Sequence, residues 1–106
     1  MGMSENNTCG MDSLRTAEAF KVQMLKKSAE LCDIMLNSTD EDFYGKMCGC
    51  AADLLIAVYV LANAAGVPYR VIENTLRRKL RLNLLENNDD DILNASVASL
   101  ARYALE

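Results

Sequence analysis

The chain has 106 residues, 51% of them hydrophobic, with 11 basic and 15 acidic side chains, one proline, five glycines and neither histidine nor tryptophan. A chain this short makes one domain and buries about two thirds of its unfolded surface, so a surplus apolar face implies a partner subunit. Without imidazole, Ser-His-Asp and Cys-His nucleophiles, His-ligated zinc and a histidine general base are excluded, and chemistry falls to carboxylates, lysine or cysteine. The net charge of −4 argues against nucleic acid and anionic membrane as partners.

The apolar residues are mostly Leu, Ala, Met and Val with few aromatics, which predicts an all-α fold. Residues 1–10 read as a disordered lead, and 11–106 as a single helical domain. Met1 to Met11 is polar and has no basic stretch followed by an apolar one, so no signal peptide is visible and a cytoplasmic location is expected.

The first helix is predicted from Asp12, a plausible N-cap, to about Asn37, with apolar residues at Leu14, Ala17, Met24, Leu25, Ala29, Cys32, Met35 and Leu36. Ser38 and Glu41 have the spacing of a capping box, and Asp40 to Asp42 suit the positive end of a helix dipole.

The second helix is predicted from about Thr39 to Ala65, stopping at Gly66 as a left-handed C-cap, with Pro68 opening the next helix at its first position. Between Ala51 and Ala65 its strongly polar residues are Asp53 and Asn63. Such a helix is expected to be buried on every side, and a second copy of the chain to complete the bundle. The nearly charge-free run from Met47 to Val67 has the length of a membrane span but carries Asp53, and reads as a core helix, with no membrane involved. Gly45 and Gly49 would permit close approach of another helix.

The third helix follows from Pro68 to about Glu86, and Asn87 to Asp91 break the chain and cap a short fourth helix. Ile92, Leu93, Ser96, Val97, Leu100, Tyr103 and Ala104 are expected to line its packed side. Short connections make neighbouring helices antiparallel, giving a bundle of three long helices plus a short C-terminal one.

Asp53 is the candidate site residue, because a carboxylate inside an apolar helix costs several kcal/mol unless it is paired or bound to a cation. The helical wheel places Lys79 and Asn83 with the core side of the third helix, so Lys79 is the expected partner of Asp53. Arg70, Arg77, Arg78 and Arg81 read as a solvated face. Cys48 and Cys50, two apart on one helix, cannot chelate one ion together, so the four cysteines read as thiols and not as a zinc site.

The order of elements, with the stretches from Ala29 to Leu36 and from Ala52 to Val67, resembles the MazG-like all-α nucleoside triphosphate pyrophosphohydrolase superfamily. The resemblance covers roughly Arg15 to Asn83. It implies Mg²⁺ held by an E-x-x-E pair on one helix and an E-x-x-D pair on the next, since residues three apart share a helix face and Mg²⁺ requires oxygen ligands. Carried over, the pairs fall on Lys27 with Glu30 and on Cys50 with Asp53.

The resemblance thus implies Glu30 and Asp53 as metal ligands, with Asp33 as a weaker candidate, and Lys79 and Asn83 as phosphate-binding residues. A lysine and a thiol at two ligand positions take the formal charge of the four from about −4 to about −1, and a thiol is a poor Mg²⁺ ligand. The resulting expectation is a catalytically impaired, MazG-like oligomeric module, a homodimer or homotetramer that binds a nucleotide or a protein partner. The alternative is an active Mg²⁺-dependent pyrophosphohydrolase releasing nucleoside monophosphate and pyrophosphate.

Overall fold

The computed structural model describes residues 2–86 and 92–105, with side chains described at 12–39, 41–82 and 95–105. Four helices follow one another: α1 (Gly2–Asn37), α2 (Asp40–Ala64), α3 (Tyr69–Glu86) and α4 (Ile92–Leu105). The described residues contain no strand, as the composition predicts. The helix α1 starts at Gly2.

The chain divides into two units, Met1–Val67 and Pro68–Glu106. In the first, α1 and α2 are joined by Ser38 and Thr39 alone and pack along their lengths as an antiparallel hairpin. The N-cap of α2 is Thr39, one residue later than the capping box suggests. Its carbonyl accepts from the amides of Asp42 (3.1 Å) and Phe43 (2.9 Å), while its hydroxyl donates to the Asp42 carboxylate at 3.2 Å instead of capping the backbone.

The end of α2 follows the sequence closely. Gly66 has φ +102°, Val67 donates its amide to the Ala62 carbonyl at 3.0 Å, and Gly66 donates to Asn63 at 2.9 Å. This is the Schellman arrangement, which satisfies carbonyls left without partners at a helix C-terminus. Pro68 caps α3 from outside instead of forming its first residue, since its carbonyl accepts from Val71 (3.0 Å) and Ile72 (3.3 Å).

Among the described residues of the hairpin, Ile34, Cys50 and Ala57 are buried. The expectation that α2 is buried all round is not met within the hairpin. Leu55 is 59% exposed, Ile56 55% and Val58 41%, because α1 covers a single face. The apolar stripe of α1 is exposed as well, at Leu14, Leu25, Met35 and Leu36. By length and composition Glu41–Ala64 could also cross a membrane.

In the second unit α3 packs on α4, and Leu80 and Ala101 are its buried residues. The packed side of α4 agrees with the expected one at Val97 and Ala104, which are half-buried, but Ala101 lies at its centre with Ala98 and Leu105 half-buried, whereas Leu100, Tyr103 and Ser96 are exposed. Small alanines let the helices approach on that side. The side chains of Ile92 and Leu93 lie outside the described residues.

Candidate functional site

The face of α1 that meets α2 carries Phe20, Gln23, Lys27, Glu30 and Ile34, which recur every three or four residues and so share one side of the helix. The antiparallel register sets Lys27 against Cys50 and Asp53 of α2. All four positions named by the family resemblance therefore meet in one place, on two helices.

Their contacts are specific. The Lys27 ammonium lies 3.3 Å from Glu30 Oε2 and 3.3 Å from Asp53 Oδ2. The Cys50 thiol donates to the backbone carbonyl of Lys27 at 3.3 Å. The cation that meets Asp53 within the hairpin is thus Lys27 of α1, and Asp53 is half-exposed instead of buried. Lys79 is exposed on α3, because the buried side of that helix is the one bearing Leu80; the side chain of Asn83 lies outside the described residues.

The electrostatics follow from these distances. Hydrogen bonds to Glu30 and then Asp53 hold the Lys27 ammonium above the ordinary lysine pKa. A cation with a raised folded-state pKa contributes its stabilisation fully below the unfolded value and loses it only as pH climbs through the folded one, so this contact is intact at neutral pH. Burial, and secondarily the Glu30 charge, push the Cys50 thiol up, which keeps it protonated. Cys32 and Cys48 are exposed and unpaired with one another. Brief iodoacetamide treatment of the native protein is therefore expected to modify Cys32 and Cys48 and to spare Cys50 until the chain is unfolded, as read by peptide mass spectrometry.

A groove of about 420 Å³ opens beside the cluster, lined by Glu30, Asp33 and Ile34 from α1 and by Gly45, Lys46 and Asp53 among others from α2. Gly45 and Gly49 leave open space where side chains would stand. Asp33 reaches this groove, but its carboxylate accepts a hydrogen bond from the Asn37 amide. On the other side of the Lys27–Asp53 pair a second hollow of about 460 Å³ is bounded by Phe20, Gln23 and Ile56.

The Mg²⁺ implied by the resemblance can be tested against these donors. Among the described residues no three carboxylate or thiol groups are placed to hold a metal ion. A lysine ammonium already stands between the two carboxylates, and the fourth position is a protonated thiol, so the donor set does not fit a hard divalent ion.

Sequence reasoning singled out Glu30 and Asp53 but missed Lys27 as the partner of Asp53, although carrying the two motif pairs onto facing helices would have placed them together. No curated protein and no solved structure matches the chain. The model of the MazG-like family matches residues 11–92, a span that includes α1 from Met11 onward, all of α2 and all four motif positions. The helices, their order and that match agree: the chain belongs to the MazG-like family, within the nucleoside triphosphate pyrophosphohydrolase superfamily.

Proposed function

We propose that this is a catalytically impaired MazG-like domain that acts as a self-associating module, a homodimer or homotetramer, able to hold a nucleotide or a protein partner. The observation that carries the reading is the occupation of two ligand positions by Lys27 and by the buried Cys50 thiol. Self-association is supported by the exposed apolar side chains of both hairpin helices, Leu25 and Met35 on α1 and Leu55 and Ile56 on α2. In this reading Lys79 and Asn83 would contact phosphate, and the protein works in the cytoplasm without a membrane or nucleic acid.

Two measurements on one preparation test it. Standard and modified nucleoside triphosphates incubated with Mg²⁺ or Mn²⁺ should release no pyrophosphate. Light scattering should give a dimer or tetramer, reduced toward the monomer by Leu55→Asp combined with Ile56→Asp. A monomeric wild type rejects the module. The second reading, an active pyrophosphohydrolase, is favoured by the presence of Glu30, Asp33 and Asp53 around one groove. Metal-dependent conversion to monophosphate that disappears in Asp53→Asn would establish it and overturn the first.

A further inference from the structure

We propose that Lys27 is a resident cation: its ammonium takes over the charge-bridging task of a divalent ion between Glu30 of α1 and Asp53 of α2, so that the hairpin is complete without metal and closed to it. The inference uses the same four positions as the reading above, but it concerns how the hairpin is held together and not turnover.

Three features carry it. First, the bridge is interhelical: the nitrogen lies at equal distance, 3.3 Å, from a carboxylate on each helix. A metal ion would have to approach those same oxygens within about 2.1 Å, against the repulsion of an ammonium already in contact with both.

Second, Lys27 is more enclosed than either partner. Its side chain is 24% exposed, against 48% for Glu30 and 52% for Asp53, so of the three it is the one held most closely between the helices.

Third, the change at position 50 complements the change at position 27. The Cys50 side chain is buried and donates to the Lys27 backbone carbonyl, so it tethers the same residue without adding a charge. A glutamate there would put a third carboxylate around one ammonium and would have to be desolvated. Lys27 and Cys50 are therefore one compensated replacement, in which an amine bridge and a thiol tie stand where the family has two further carboxylates.

The test is thermal unfolding of the full chain, followed by circular dichroism in chelator and then with Mg²⁺ or Mn²⁺. The wild type should melt at one temperature in all three conditions. Lys27→Met should melt lower, and Lys27→Arg should recover most of the loss, because the guanidinium restores the bridge. The double variant Lys27→Glu with Cys50→Glu should melt below the wild type in chelator and rise by roughly ten degrees when Mn²⁺ exceeds its dissociation constant about a hundredfold.

A wild type stabilised by metal as strongly as the double variant overturns the proposal, and so does a Lys27→Met chain that melts like the wild type. If the double variant does not fold, the wild type, Lys27→Met and Lys27→Arg still decide the matter. The outcomes separate from those of the turnover assay: an inactive protein indifferent to Lys27→Met sinks this inference and leaves the functional reading standing.

Discussion

Replacing Ile34 by alanine should cost about 2–5 kcal/mol of stability, measured by chemical denaturation followed through the helical circular dichroism signal. Ile34 is 6% exposed and is one of three buried residues described in the α1–α2 hairpin, beside Cys50 and Ala57. The substitution removes three carbons from this packed position and leaves a cavity that the surrounding helices fill only in part. Ile34 also forms a wall of the groove that contains Glu30 and Asp53, so the variant should widen that groove without altering any charge in it. Ile34→Val removes one methylene and should cost about 0.5–1.5 kcal/mol, which separates the loss of packing from a general intolerance of substitution at this position.

The second large effect is expected at Leu80. It is 5% exposed, and with the fully buried Ala101 it belongs to the packed side of the unit formed by α3 and α4. Leu80→Ala should cost about 2–5 kcal/mol by the same measurement. Leu76, four residues earlier and 43% exposed, provides the internal comparison. Leu76→Ala should cost about half as much or less, because 43% of the residue is already exposed to water. Equal losses at the two positions would mean that the exposed face of α3 is covered in solution.

Helix boundaries were legible because turn chemistry is local. Gly66 and Pro68 stop one helix and start another through backbone geometry that needs no tertiary partner, and the structure differs from the expectation there by a single residue. The packed faces were less legible. On α1 the apolar residues Leu14, Leu25, Met35 and Leu36 form the more hydrophobic stripe, yet α2 packs on the side bearing Phe20, Gln23, Lys27 and Ile34. A helix with apolar residues on more than one side does not declare which side its nearest neighbour takes.

The same ambiguity explains why Lys27 was missed as a partner of Asp53. Burial was inferred from the apolar residues around it along α2, whereas its surroundings are set by what crosses from α1. On α4 a pattern of large apolar residues suggested one side, and small alanines, which allow closer approach, chose another. The family positions proved more informative than periodicity, because they specify which residues of two helices must meet regardless of hydrophobicity.

The Lys27 bridge has a consequence for how such a domain responds to its surroundings. A free metal ion occupies its site in proportion to its concentration, so a protein that depends on one has an empty state and a filled state and can report the difference. A cation carried on the polypeptide has a fixed stoichiometry of one per chain and an effective local concentration that neither dilution nor chelation changes. With its ammonium held between Glu30 and Asp53, the hairpin has exchanged a variable occupancy for a permanent one.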